Sequence, residues 1–250
     1  MNIAIVGYGR MGHEIERVAQ NRGINVQSII DPNDEDAGHK YIDTLSMENV
    51  DVCIDFSAPN AVLANIEKIS KFGKNIVIGT TGWFDRLEDA KHIVKKGNIG
   101  LIYAANFSIG VNIFFKIIEN AASLINKIDN YDVFGYELHH SKKVDSPSGT
   151  AKTIGDILIK NIKRKNKLVF EKMDRKLEEN ELHFASIRAG FIPGTHVVGF
   201  DSSADIIELK HEARNREGFA IGAVMAAQWI NSKKGFYSIN DMMTSILELN

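Results

Sequence analysis

The run Glu137-Leu138-His139-His140-Ser141-Lys142-Lys143-Val144-Asp145-Ser146-Pro147-Ser148-Gly149-Thr150-Ala151 is the densest stretch of proton-transferring and anion-binding residues in the sequence. His139 and His140 are the candidate proton-transfer groups, because imidazole titrates near neutral pH and a nearby cation or anionic substrate tunes it. Lys143 adds a full positive charge. Ser148-Gly149-Thr150 offers two hydroxyls and a flexible backbone where a helix is expected to start, an arrangement suited to a carboxylate or phosphate. Adjacent histidines on an extended strand point to opposite faces, and no cysteine or H-x-x-x-H partner completes a zinc set, so no metal is expected. A capped loop with surface histidines is the structural alternative.

A second constellation lies at the N-terminus. Gly7-Tyr8-Gly9-Arg10-Met11-Gly12 follows an apolar strand and opens a helix, the context that makes G-x-G-x-x-G a dinucleotide-binding fingerprint. Gly7 permits the tight turn, Gly9 lets the backbone approach a pyrophosphate, and Gly12 lets helix and strand pack closely. Nineteen residues after Gly12, Asp31 is placed to accept hydrogen bonds from ribose hydroxyls. Its charge would repel a 2′-phosphate, and Pro32-Asn33 supplies no arginine, so NADH is favoured over NADPH. Arg10 can neutralise either a pyrophosphate or a 2′-phosphate and leaves NADPH use open. Gly79-Thr80-Thr81-Gly82 and Ala104-Ala105-Asn106-Phe107-Ser108 follow later strands and are further cofactor-contact candidates. Ordinary βα loops are the alternative there.

The elements that must carry these residues are legible as patterns. Ile3–Val6, Val26–Ile30, Val52–Phe56, Ile76–Ile78 and Leu101–Tyr103 read as short buried strands, and stretches of helical period separate most of them, as in a doubly wound parallel sheet. After Asn106 the texture changes. A continuously apolar helix is expected over Val111 to Ile125, a strand over Tyr131–Leu138, and a helix from about Thr150 to Ile162. Strands follow at Leu182–Arg188, His196–Phe200 and Asp205–His211. Their close spacing predicts antiparallel or mixed pairing in a second, α+β domain. Phe219 to Ile230 reads as a buried helix, and Ile239 to Leu249 as a terminal helix returning to the first domain.

Composition narrows the class. The chain has 250 residues, 44% hydrophobic and 25% charged, with a net charge of −2. That is globular, and it gives no general attraction to nucleic acid. The basic run from Lys160 to Lys167 is followed at once by acidic residues and lacks interleaved aromatics, so it reads as a solvated surface. The longest apolar stretch is far short of the ~20 residues that span a bilayer. Cys53, the single cysteine, makes no internal disulfide, and no basic region precedes a secretory signal core. A cytoplasmic protein is expected.

Taken together the residues resemble the 4-hydroxy-tetrahydrodipicolinate (dihydrodipicolinate) reductase family, essentially end to end. The pattern E-x-H-H-x-x-K-x-D-x-P-S-G-T-A over Glu137 to Ala151 is the specific match. Asp55-Phe56-Ser57, Val77 to Gly82, Ala104 to Asn112 and Arg188-Ala189-Gly190 support it. The resemblance implies a dinucleotide-binding domain of residues 1–106 and 216–250 and a substrate-binding and oligomerisation domain of residues 107–215, usually assembled as a homotetramer through the substrate-domain sheets. It implies reduction of a cyclic dicarboxylate by NADH or NADPH in diaminopimelate and lysine biosynthesis. His139 resembles the proton donor, and Lys143 the second catalytic residue and a substrate contact. His140, Ser148, Gly149 and Thr150 resemble dicarboxylate-binding positions. Gly7, Gly9, Arg10, Met11, Gly12, Asp31, Gly79, Thr80, Thr81, Ala104, Ala105, Asn106 and Phe107 resemble nucleotide contacts, with Arg216 and Phe219 closing on the cofactor. Asp31-Pro32 departs from members that carry a basic residue after the acid. A nucleotide sensor on the same fold would have no use for His139 and Lys143, and an aldehyde dehydrogenase would need a better nucleophile than Cys53, which falls in a buried strand.

Overall fold

The computed structural model describes residues 1–247. Its chain separates into two compact units, one formed by Met1–Ile109 together with the residues from Arg216 on, the other by Gly110–Asn215.

The first unit is built on a six-stranded parallel sheet. Strands β1 (Asn2–Val6), β2 (Asn25–Ile30), β3 (Val52–Asp55), β4 (Asn75–Ile78), β5 (Gly100–Tyr103) and β11 (Gly235–Ser238) lie in the order β11-β5-β4-β3-β1-β2. Both faces are covered, which is why the strands read as continuous apolar runs. On β1, Ile3 and Ile5 face one core with residues of α1 (Arg10–Asn21) and α6 (Glu217–Ile230). Ala4 and Val6 face the opposite core with α2 (Val62–Lys71) and α3 (Leu87–Gly97). The doubly wound sheet is therefore as the sequence predicts. Strand β11 is not. Gly-Phe-Tyr-Ser is too short and too weakly apolar to stand out, and its place beside β5 is secured by the return of the chain after α6. Asn75 anchors that return, donating from Nδ2 to the carbonyl of Ile230 (2.7 Å) and accepting from Gly100 N–H (2.7 Å). The terminal helix α7 (Ile239–Leu247) belongs to this unit, and the last two residues of the predicted helix lie outside the described residues.

The second unit holds α4 (Ile109–Ile125), β6 (Asp132–His139), α5 (Gly149–Asn161), β7 (Lys167–Val169), β8 (Glu181–Arg188), β9 (Thr195–Asp201) and β10 (Ile206–Glu212). Its sheet order is β10-β9-β6-β8-β7. Strand β9 runs antiparallel to β6 and β10, whereas β8 runs parallel to β6 and β7, so the sheet is mixed as expected. Strand β7 was not expected, because it is three residues long and starts at the last lysine of the basic run. That run also departs from the solvated reading at Lys165, which is 4% exposed. Its ammonium donates to the carbonyls of Glu179 (2.8 Å) and Glu181 (2.9 Å) and pairs with Asp132. Lys167 pairs with the buried Glu181 carboxylate beside it. Charges in a sequence run do not reveal which one folds inward with partners.

Candidate active site

In the second unit, three strands lying side by side set the geometry. Glu137 on β6 stands opposite Ser186 on β8 and His196 on β9, and His139, two residues along the same face, stands opposite Arg188. The result is a buried cluster around one carboxylate. Glu137 Oε1 accepts from Arg188 Nη2 (2.8 Å), Ser186 Oγ (2.9 Å) and Ser148 N–H (3.0 Å). Its Oε2 accepts from the Ser148 hydroxyl and lies 3.3 Å from Nε2 of both His139 and His196. Burial pushes the Glu137 carboxyl upward, but the contacts from His139, His196, Ser148 and Arg188 override it and hold the group well below the usual carboxylate range. Glu137 is thus ionised throughout the working pH range. His196 is shifted the other way: burial lowers its pKa more than Glu137 raises it, which favours the neutral ring.

Helix α5 starts at this carboxylate. Ser148 is its N-cap, accepting from Ala151 N–H (3.1 Å) while donating to Glu137. The Ser148 hydroxyl is therefore committed to the protein, in contrast to the expectation of two hydroxyls for an anion. Gly149 has open space where a side chain would be. Lys143 Nζ is paired with Asp145 (2.8 Å), and Arg188 Nη2 also donates to the Asp145 carbonyl (2.7 Å), which ties the Lys143 loop to the cluster. His140 is half-buried just past the end of β6. Of the predicted catalytic and substrate-binding residues, the structure gathers His139, Ser148 and the helix start around Glu137. Sequence reasoning assigned no role to Glu137, Arg188 or His196.

Glu137, His139 and His196 bring three potential metal-ligating atoms within 4.8 Å of one another, a grouping the sequence did not suggest. The donor chemistry argues against a cation. The carboxylate already takes four hydrogen bonds, one of them from a guanidinium that supplies its positive counter-charge.

The first unit presents a different site. A pocket at the C-terminal ends of β1, β3 and β4 is lined by Gly9, Arg10, Met11, Phe56, Ser57, Pro59, Gly79, Thr80, Thr81 and Arg216. This is the strand edge at which open α/β sheets bind ligands. Gly7 adopts φ +88°, and a Cβ there would meet the Phe56 carbonyl at 2.6 Å; a Cβ on Gly12 would meet the Gly7 carbonyl at 2.4 Å. Gly9 has nothing within 4 Å of a would-be Cβ, so the loop leaves a cradle open at the start of α1. Gly79 is needed for another reason, since the Phe56 ring lies 2.0 Å from where its Cβ would be.

Asp31 is fixed by Tyr8 N–H (2.8 Å) and Asn33 N–H (2.8 Å). Burial raises its pKa, but these backbone bonds, with one from Asp34, leave it lowered and the carboxylate ionised. Burial and Glu16 push the Tyr8 phenol up to about 12, with Asp34 and Asp36 adding to the shift, whereas the charged neighbour of Asp31 is Lys40, which also helps to lower its pKa. Asp55, wholly buried at the end of β3, accepts from Ser57 N–H (2.9 Å), Ser57 Oγ (2.7 Å), Asn65 Nδ2 (2.9 Å) and Thr80 Oγ1 (3.1 Å). It joins two of the loops that line the pocket. Ala104 and Phe107, predicted as nucleotide contacts, have their side chains in the core, while Asn106 caps Ser108 N–H. Neither they, Ala105 nor Phe219 line the pocket, and of the other predicted contacts Gly7, Gly12 and Asp31 also fall outside its lining.

Comparison with known proteins decides the family. The family model for the N-terminus of dihydrodipicolinate reductase matches residues 1–107, and that for its C-terminus matches residues 110–243. The chain belongs to the dihydrodipicolinate reductase family. It is 39% identical over 248 residues to the 4-hydroxy-tetrahydrodipicolinate reductase of Christiangramia forsetii, covering 99% of this chain and 100% of the relative. It is 38% identical over 261 residues to the enzyme of that name from Archaeoglobus fulgidus, covering 97% of this chain and 100% of the relative. The fold is also that of a dipicolinate-bound dihydrodipicolinate reductase from Paenisporosarcina sp. TG-14, with a TM-score of 0.77, 22% identity, and coverage of 96% and 98% of the two chains. The family is one of oxidoreductases. Among the described residues no helix is long and apolar enough to cross a membrane.

Proposed function

We propose that this protein reduces 4-hydroxy-tetrahydrodipicolinate to tetrahydrodipicolinate, with loss of the 4-hydroxyl as water, consumption of one reduced pyridine nucleotide and uptake of one proton. The observation that carries this reading is the buried Glu137–His139 pair beside the Lys143 loop and the start of α5, a proton donor next to cationic and helix-dipole groups suited to a dicarboxylate. The family membership and the dipicolinate bound to a protein of the same fold support the substrate class.

The glycine-rich loop, Arg10 and the Gly79–Thr81 segment would hold the dinucleotide, and Arg216 borders the same pocket. When bound, the reduced nicotinamide supplies the hydride. His139 protonates the electron-rich enamine that hydride addition leaves behind. Lys143, released from Asp145, together with His140 and the backbone of Gly149 and Thr150, orients the two carboxylates so that one ring face is presented. Asp31 accepts from the adenosine ribose. Its fixed negative charge favours NADH, with NADPH tolerated less well. The product would serve diaminopimelate and lysine synthesis in the cytoplasm, where the lone buried thiol of Cys53 stays reduced. Strand β10, an edge strand with Ile206 and Ile207 exposed, supports assembly of a homotetramer through the second unit's sheet; sedimentation equilibrium tests this.

The activity test generates the unstable substrate in place from pyruvate and aspartate semialdehyde with the synthase, then follows NADH and NADPH oxidation separately. Synthase-dependent oxidation, faster with NADH, is expected. No oxidation by folded, NADH-binding protein would overturn the substrate assignment.

A further inference from the structure

The Glu137 carboxylate is more than a structural partner of His139, because its position decides which ring nitrogen can give up a proton. His139 Nε2 is buried, 3.3 Å from Glu137 Oε2, without a well-aligned hydrogen bond to any group. A bare lone pair on that nitrogen would face an ionised carboxylate, whereas a proton there is attracted to it. Gly194, next to His139 across the β6 and β9 pair, lies against the Cε1 corner of the ring between the two nitrogens. A Cβ at position 194 would lie 2.9 Å from His139 Cε1 and 3.3 Å from Nδ1. A side chain at 194 would crowd the ring, and of the two nitrogens Nε2 is the one that faces the Glu137 carboxylate.

We propose that Glu137 is a positioning residue that holds His139 in the tautomer protonated on Nε2, making Nδ1 the nitrogen from which the transferred proton leaves. In the step, the Nδ1–H bond of the imidazolium breaks and its electron pair stays on Nδ1. The proton bonds to the enamine, and the neutral ring left behind already carries its remaining hydrogen on Nε2. His196 faces the same carboxylate oxygen from β9, but its Nδ1 is buried without a partner, so a second proton there would be unsolvated. His196 is therefore the ring kept neutral. The charged and titratable groups facing this pair are Arg188 from β8, His196 from β9, and Lys143 and Asp145 from the loop, with His211 on β10 behind His196.

The proposal rests on His139 being the proton donor, and two readouts keep the claims separate. In enzyme labelled with 15N-histidine, with the His139 signal identified by its absence from His139→Gln, the neutral ring is expected to carry its proton on Nε2 and none on Nδ1. The Nδ1-protonated tautomer would overturn the proposal while leaving the donor role intact; full turnover by His139→Gln would overturn both. In Glu137→Gln, the fall of kcat with rising pH should move toward acid, with NADH affinity unchanged. Glu137→Asp should recover part of the shift. An unmoved profile would mean that Glu137 is only structural. If Glu137→Gln does not fold, the tautomer in the unaltered enzyme decides alone.

Discussion

Each unit of this protein buries a carboxylate at the end of a strand, and the two are held in opposite ways. Asp55 in the first unit is surrounded by neutral donors from Ser57, Asn65 and Thr80, and burial leaves its pKa raised. Glu137 in the second has a guanidinium and two imidazoles as well as serine donors, and its pKa is lowered. Hydrogen bonds without a counter-charge are enough to shape loops, whereas a carboxylate that must stay charged beside the proposed proton donor needs a cation such as Arg188. We propose a matching division of labour: the neutral hub shapes the pocket assigned to the cofactor, and the charged hub governs the proton transfer assigned to His139.

The largest effect should come from removing the proton donor. His139→Gln is expected to lower kcat by about 10²- to 10⁴-fold in the synthase-coupled assay, with the NADH Kd from calorimetry unchanged. Parallel loss of NADH binding would erase the division of labour. Stability should separate the hubs next. Glu137→Gln leaves Arg188 without its counter-charge and should cost about 3–5 kcal/mol in urea unfolding. Asp55→Asn mismatches only neutral donors and should cost about 1–3 kcal/mol; equal losses would contradict the distinction.

Acid should also act differently on the two units. Burial lowers the pKa values of His196 and His211 below the unfolded value near 6.5, so the unfolded chain binds more protons and stability falls as pH drops through about 6.5. Glu137, lowered from 4.5, contributes stability that is present above that value and lost beneath it. Asp55 has the reverse sign: its raised pKa costs stability near neutrality, and the cost disappears as it protonates. Hydrogen exchange between about pH 7.5 and pH 4.5 should therefore show β6 and β9 losing protection before β3 and β4. The smallest expected effect is at the nucleotide end. Asp31→Ala should weaken NADH by about tenfold, through loss of hydrogen bonds to a charged acceptor, and NADPH by less. Equal weakening would remove the ribose assignment.

Much of this division could be read in the sequence. The first unit follows from local signals, because apolar runs, the glycine spacing and Asp31 all lie within short sequence distances. The face shared by Glu137 and His139 is also local, since residues two apart on a strand point the same way. What single-sequence reasoning could not supply is register. Arg188 and His196 reach Glu137 only because β8 and β9 flank β6 in one alignment, and a slip of one residue would turn them to the other face. The engagement of the Ser148 hydroxyl with Glu137, the burial of Phe107 and the inward turn of Lys165 are likewise consequences of packing between distant segments.

The most direct test measures two quantities on two variants side by side: synthase-dependent NADH oxidation and NADH affinity for Glu137→Gln and Asp55→Asn. Glu137→Gln should lose turnover and keep its affinity for NADH. Asp55→Asn should weaken NADH, and saturating NADH should restore most of its turnover. The opposite pattern, or the same loss of both quantities in both variants, would contradict the assignment of proton transfer to the charged hub and cofactor binding to the neutral one.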